Sequence, residues 1–283
     1  MLHACLPGSA DAYRQGALSC LIRLLYHNKI ISSSGGTIIM RKSAALLSVL
    51  CMIALFSGIS SALTPEEILK RADGVRSAPY DSFVMDVDLI SPQGNMSFKV
   101  YSRAGAGSLA MFIKPVAQKG QLLFLKDDTY FFFAPGTHQP TRIHATQRLK
   151  GDISNGDLLR LHWSQDYDAR QISEDGKTYE LELTAKNKAA TYSRMEVLIE
   201  KGTFKPVRSK IYLQSGKLFK TMLFTDFMTV GGKVMATELT FVDHLKNGKE
   251  SKMTFSRIKQ QEIPDNYFDT EALPALSKSL AEK

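Results

Sequence analysis

The segment Tyr192-Ser193-Arg194-Met195-Glu196-Val197-Leu198-Ile199-Glu200-Lys201-Gly202-Thr203-Phe204-Lys205-Pro206-Val207-Arg208-Ser209-Lys210-Ile211-Tyr212-Leu213-Gln214 decides the fold. Met195, Val197 and Ile199 alternate with Glu196 and Glu200, the period of a strand with one face in a core and the other in water. Lys201-Gly202 turns the chain, and Val207, Ile211 and Leu213 then alternate with Arg208 and Lys210. Outward from this pair the rhythm continues. Tyr179 to Thr184 precedes it, and Leu218 to Thr229, Lys233 to Val242 and Ser251 to Ile258 follow. Turns are marked at Glu174-Asp175-Gly176-Lys177, Ser215-Gly216-Lys217, Gly231-Gly232 and Asn247-Gly248. Many strands joined by tight turns predict an antiparallel meander, and the charged outward face, with Glu238 opposite Leu239 and Phe241, excludes a barrel facing lipid.

The first half repeats the pattern. Phe83, Met85, Val87 and Leu89 alternate with Val84, Asp86 and Asp88, and Ser91-Pro92-Gln93-Gly94-Asn95 turns the chain into Phe98 and Val100. Further strands are predicted over Leu109 to Ile113, Gln121 to Leu125 and Thr129 to Phe133. Before them, Thr64-Pro65-Glu66-Glu67 has the composition of a capping box, and Ile68, Leu69, Ala72 and Val75 fall at helical spacing. Gly74 is expected to stop that helix. From Pro135 to Asp168 the pattern breaks, with one short helix expected over Asp157 to Leu161, capped near Ser154 or Asn155. The tail Ile263-Pro264-Asp265-Asn266-Tyr267-Phe268 is expected to end a strand and drop apolar residues onto the body.

Upstream of this domain, Met40 opens a segment with Arg41 and Lys42, an apolar run from Ala44 to Phe56 and the small residues Ser60-Ser61-Ala62. That is the layout of a cleavable signal peptide, and the apolar run is shorter than the roughly 20 residues of a membrane span. The chain is therefore divided into an N-terminal extension over residues 1–39 preceding the true start, a signal peptide over 40–62, and one domain over 63–283, exported to the periplasm. Cleavage removes Cys5, Cys20 and Cys51, the only cysteines, so the exported chain is neither a thiol enzyme nor a disulfide scaffold. It also removes Arg14, Arg23, Lys29, Arg41 and Lys42 against Asp11, halving the formal charge of +8 and leaving too little for nucleic-acid binding.

Chemical motifs are sparse. Gly105-Ala106-Gly107-Ser108-Leu109-Ala110 has the spacing of a dinucleotide turn, but a strand follows it in place of a helix. His138, His144, His162 and His244 show no metal-ligand spacing, no Gly-x-Ser-x-Gly elbow exists, and Asp86 and Asp88 share an outward strand face. No catalytic constellation, cofactor site or metal site is expected. The run Tyr130-Phe131-Phe132-Phe133 is different, because it places aromatic bulk on both sides of one strand. One side belongs to the core, and the other calls for a helix, a partner or a ligand.

From this run onward, Phe132-Phe133-Ala134-Pro135, Thr141-Arg142-Ile143, Gln147, Gly151, Ser154-Asn155-Gly156-Asp157-Leu158 and Asp166-Tyr167 follow in order. The stretch resembles the signature of the LolA-like outer-membrane lipoprotein-sorting proteins, and the similarity of layout runs from Leu63 to about Leu276. One departure is His138-Gln139-Pro140-Thr141, where the resembling subgroup has a more basic stretch. The resemblance implies a mainly β fold of the α+β kind: a curved, open antiparallel half-barrel whose concave apolar face is covered by a lid, here the helix from Pro65 and the segment around Asp157 to Leu161. It further implies an apolar cavity for acyl chains, with Phe83, Met85, Val87, Phe98, Val100, Tyr130 and Phe132 as lining candidates and Pro135, Arg142, Gln147, Asn155, Asp157 and Tyr167 as the motif residues. In the lipoprotein carrier an arginine inside the barrel helps hold the lid shut, a role that no motif match assigns to a residue here. The expected function is a monomeric, non-enzymatic periplasmic carrier of lipoprotein acyl chains or lipid, in transient contact with membranes and with an inner-membrane transporter. The rivals are an accessory binding subunit of an envelope lipid exporter and, further off, a lipid-ester hydrolase.

Overall fold

The computed structural model of the protein describes residues 62–281. The expected extension, the signal peptide up to Ser61 and all three cysteines lie outside the described residues. The first helix, α1 (Pro65–Arg76), begins with the capping box its sequence encodes: Glu67 N–H donates to Thr64 Oγ1 at 3.2 Å, and Thr64 N–H donates to Glu67 Oε2 at 2.9 Å. Gly74 does not stop it. That position faces open space, while Val75 and Arg76 extend the buried stripe of Ile68, Leu69 and Ala72 for another turn before Ser77 caps the end.

Six strands follow, β1 (Ser82–Ile90), β2 (Met96–Arg103), β3 (Gly107–Lys114), β4 (Leu122–Lys126), β5 (Thr129–Phe133) and β6 (Thr141–Ile143). A small hairpin comes next, β7 (Arg148–Lys150) and β8 (Ile153–Ser154), then the short helices α2 (Asn155–Leu159) and α3 (Trp163–Asp166). The second meander is β9 (Tyr167–Glu174), β10 (Thr178–Ala185), β11 (Arg194–Glu200), β12 (Pro206–Tyr212), β13 (Leu218–Val230), β14 (Lys233–Asp243) and β15 (Lys249–Gln260), and α4 (Leu273–Ala281) closes the chain. The expected irregular stretch up to Asp168 thus ends sooner, since Tyr167 already begins an edge strand. The tail after Gln260 is not strand but a loop with a 3-10 turn over Asp265–Phe268, although Ile263 and Phe268 are buried as expected.

All the strands except β7 and β8 join one 13-stranded antiparallel sheet in the order 6-5-4-3-2-1-15-14-13-12-11-10-9, curved and not closed into a barrel. Each meander runs outward from a central seam between β1 and β15, where Val87 faces Phe255 and Leu89 faces Met253. The sheet's two free edges are therefore β6 and β9. These are joined in the chain by β7, β8, α2 and α3, so this connection has to cross the open side of the half-barrel.

One core cluster fills the concave side, with α1, α2 and α3 packed over Met85, Val87, Phe98, Phe112, Val197, Met222 and Phe241. A second lies on the convex side of the first meander, where Ile263, Phe268, Leu273 and Leu276 cover Leu109, Met111, Leu122, Phe124 and Phe133. The second aromatic face of β5 is thus occupied by the chain's own C-terminal segment, held by Arg103 Nη1 donating to Ile263 O at 2.8 Å and Ser277 Oγ donating to Gly120 O at 2.6 Å. Along β12 the expected inward face is corrected. Irregularities at Leu198/Ile199 and Ile211/Tyr212 shift the register, so Ser209 and Ile211 point inward while Val207 and Leu213 are exposed.

Candidate functional site

The lid consists of α1 and the crossing segment, and three sets of polar contacts fasten it. The first joins it to the floor of the sheet. Along β13, Lys220 shares a face with Met222 and Phe224, so its ammonium points into the core at 1% residue exposure. There Nζ donates to Asp157 Oδ2 of α2 at 2.6 Å and to the Asp152 carbonyl at 2.9 Å, and it also meets the Tyr192 hydroxyl. Asp157 is held from several sides, receiving Tyr192 OH at 2.9 Å, Ser154 N–H at 2.9 Å and Ser154 Oγ at 2.9 Å. Burial pushes the Lys220 ammonium below its ordinary pKa, opposed by Asp157, and burial raises the Tyr192 phenol.

The second set ties α1 to α3. Asp73 accepts the Trp163 and Ser164 N–H groups, each at 2.7 Å, and Arg76 Nη1 donates to Leu161 O at 2.8 Å. The Arg76 guanidinium lies 3.5 Å from the centre of the Trp163 ring, where stacking replaces part of the hydration that burial removes. In the third set Arg160 makes a fork with Asp166 at 2.5 and 2.6 Å and reaches Asp128 in the β4–β5 turn. Although burial alone would lower the Arg160 pKa, Asp166 and Asp128 outweigh it and hold the charge.

Of the motif residues, Asn155, Asp157, Tyr167 and Gln147 build this lid. Asn155 Nδ2 donates to His144 O at 2.9 Å, its N–H donates to Gln147 O at 3.0 Å, and Tyr167 OH accepts the Tyr192 N–H at 3.0 Å. Gly156 is pressed against Thr191 so closely that a Cβ would collide with it. Pro135 and Arg142 stand apart. Both are exposed, and Arg142 sits 5.8 Å from the Phe131 ring on the edge strand.

Phe83, Met85, Val87, Phe98, Val100, Tyr130 and Phe132 all lie in the concave cluster beneath the lid. Phe98 and Phe132 each meet Phe112 edge-on, at 4.7 and 6.0 Å between ring centres. Among the described residues the buried Tyr130 hydroxyl has no hydrogen-bond partner, and burial pushes its pKa to about 12. Of these seven, Phe83 also reaches a cleft of about 790 Å³ between the end of α1, the β2–β3 and β4–β5 turns and the α2–α3 loop. Phe83, Leu125, Leu159 and Leu161 form its apolar part, and Arg103, Lys126, Asp128 and Lys233 are among its charged residues. Its volume falls within the roughly 300–1,000 Å³ of small-molecule sites. The Gly105-Ala106-Gly107 turn lines it, tight because a Cβ on Gly107 would meet the Leu125 carbonyl.

Lys220, Asp73 and Arg76 were not among the expected site residues, although a signal exists for each. Lys220 falls in phase with Met222 and Phe224, and Asp73 and Arg76 fall on the same helical stripe as Leu69 and Ala72. A charge in phase with a buried face must find a partner inside.

An open, curved antiparallel sheet with a helical lid latched over its concave apolar side defines a lidded half-barrel protein. A protein-family model described as uncharacterized protein matches residues 105–275. A LolA superfamily protein from Nitrosomonas europaea is 30% identical, with 74% of this chain and 98% of that one covered and a TM-score of 0.68. The chain belongs to the LolA superfamily. Two further structures share the fold: a DUF1329 family protein from Desulfovibrio piger, at 24% identity over 74% of this chain and 97% of that one with a TM-score of 0.62, and an outer membrane lipoprotein-sorting protein domain from Vibrio parahaemolyticus, at 19% identity over 74% and 98% with a TM-score of 0.60. No curated protein matches the sequence. Among the described residues no helix is long and apolar enough to cross a membrane.

Proposed function

We propose that the protein is a periplasmic carrier that takes the acyl chains of a lipoprotein or lipid beneath its lid and passes them toward the outer membrane without covalent chemistry. The observation that carries this reading is the 790 Å³ cleft bordered by the end of α1 and the α2–α3 loop, beside a lid that is held by polar pairs and packed on an apolar sheet. Each methylene moved from water into such a site contributes about 0.8 kcal/mol, so a few buried carbons are enough for capture. Polar latches suit reversible closure, because an opened lid exposes to water the charged groups that it otherwise buries. Net transfer then follows the difference in affinity between the carrier and its donor or acceptor. The carrier works as a monomer and receives its cargo from an inner-membrane transporter.

Native mass spectrometry of protein isolated from a periplasmic extract without detergent tests this reading, together with uptake of a fluorescent fatty acid. Bound lipid, and uptake that weakens on Phe83→Asp, are the expected results. Protein that is lipid-free in every preparation and takes up no fatty acid would overturn it, and co-purification of an empty protein with a membrane transporter would favour an accessory subunit instead.

A further inference from the structure

Four turns meet at one side of the half-barrel: 91–95, 148–152, 213–217 and 244–248. Their adjacency is direct. Lys150 packs on Gly94, Gly151 lies against Ser91, Gln93 and Ser251, and Arg148, Leu213 and Leu245 line one cleft of about 340 Å³. Within these turns the one acidic residue, Asp152, is buried, as is Asp243 at the end of β14, and at the start of β15 the exposed Glu250 stands next to Lys249. Both are covered by Arg148 and Lys246 at 3.2–3.8 Å. Lys150, Lys217 and Lys249 make no ion pair among the described residues. Large aliphatic side chains are exposed on the same face: Ile90, beside Glu250 and Lys252, is 53% exposed, Leu213 39% and Leu245 43%. The far turns are of mixed sign. Asp127, Asp128 and Asp175 accompany Lys177, Lys201 and Lys205 at the opposite ends of the strands.

From this arrangement we infer that the four-turn face docks the protein on an anionic lipid bilayer. Unpaired lysines supply attraction to a negatively charged surface, worth roughly 1 kcal/mol per residue held close to it. Aliphatic tips on the same face have somewhere to go only if the facing phase is apolar just below its charged layer, as a bilayer is and an acidic protein surface is not. The β7–β8 hairpin is part of this face and part of the lid, so the bilayer touches the lid itself. Docking is independent of whether the 790 Å³ cleft holds acyl chains, and vesicle binding by lipid-free protein separates the two readings.

Co-sedimentation of the purified protein with vesicles of phosphatidylglycerol and phosphatidylcholine, against phosphatidylcholine alone, provides the test. Binding to the anionic vesicles that falls with salt is expected. The triple variant Lys150→Glu/Lys217→Glu/Lys249→Glu lowers it about a hundredfold, by the contribution per basic residue. Leu213→Ser/Leu245→Ser weakens it at unchanged charge, and the control Lys177→Glu/Lys205→Glu/Lys259→Glu leaves it within about threefold of the parent by the same count of distant charges. Equal binding to neutral vesicles overturns the inference, as does an unaffected four-turn variant with a native circular-dichroism spectrum. Capture of polyglutamate without any vesicle binding overturns it too, in favour of an acidic protein partner.

Discussion

Lys220 on the floor of the half-barrel and Asp157 at the start of the lid helix meet at 2.6 Å with side chains 1% and 2% exposed. Such a pair adds little net stability, because desolvation offsets most of the attraction, but losing one member strands the other. Asp157→Asn should therefore cost about 3–5 kcal/mol in urea unfolding. The double variant Lys220→Met/Asp157→Leu should recover a large part of it. Equal losses in the single and double variants would assign Asp157 the helix-capping role alone.

A different behaviour is expected of Asp152 and Asp243, which face each other from the lid hairpin and the end of β14. Burial, then the hydrogen bond and charge of Asp243, raise the Asp152 pKa from 3.8 to about 6. Burial alone would also raise Asp243, but Asp152 and the Leu245 N–H more than offset it and hold it low. The folded state thus binds a proton at Asp152 that the unfolded chain has already released. Stability from this site is present below about pH 4 and is lost as pH rises to about 6. Asp152→Asn should flatten that slope in unfolding curves measured from pH 4 to 7, whereas an unchanged slope would place the titration elsewhere.

Trp163 is the one tryptophan of the sequence, and it sits in the lid beneath Arg76. Removing the Asp73 carboxylate leaves the Trp163 and Ser164 N–H groups unpaired, at about 1–3 kcal/mol for each buried donor. Asp73→Ala should red-shift the emission of Trp163 at denaturant concentrations where far-ultraviolet circular dichroism is still native. Coincident transitions would mean that the lid has no separate opening.

Gly156 and Thr191 form a steric pair. Gly156→Ala drives a methyl group into Thr191 and should destabilise the protein by about 1–3 kcal/mol, the usual cost of overpacking. Thr191→Ala should be mild alone and should rescue Gly156→Ala in part, because it removes Oγ1 and Cγ2 but keeps a Cβ that the new methyl group still crowds. Additive losses in calorimetry would count against this account.

On the convex side, a chain ending at Gln261 loses the cover of Leu122, Phe124 and Phe133. It should bind an apolar dye strongly and associate in ultracentrifugation. Phe268→Ala should cost about 3–5 kcal/mol without association.

Legibility in the sequence followed how local each determinant is. Thr129 to Phe133 forms the expected strand, and Leu218 to Thr229 and Lys233 to Val242 are each off by a single residue, since alternation and glycine turns are encoded within a few positions. Ser154 caps α2 as its spacing suggests. Tyr167 to Glu174 did not read as a strand because it is an edge with little apolar alternation, Ile172 itself being 38% exposed. The helix ending the chain was missed for another reason. Its role comes from Leu109, Leu122 and Phe124, more than 140 positions earlier in the chain, which no local window contains. The site divides similarly. The Ser154 to Asp157 box is visible, but its partner Lys220 belongs to it only through the curvature that brings β13 under the lid.

The central seam between β1 and β15 governs the order in which the molecule can form. Since Val87 waits for Phe255, the first meander has an unpaired inner edge until nearly the whole chain exists. Closure of that seam spans most of the domain and raises the contact order, which slows folding. A polypeptide wired in this way cannot complete its sheet before its C-terminal strands are available. Its connectivity ties the native state to the last strands of the domain, so a chain that still lacks β15 holds two unjoined meanders.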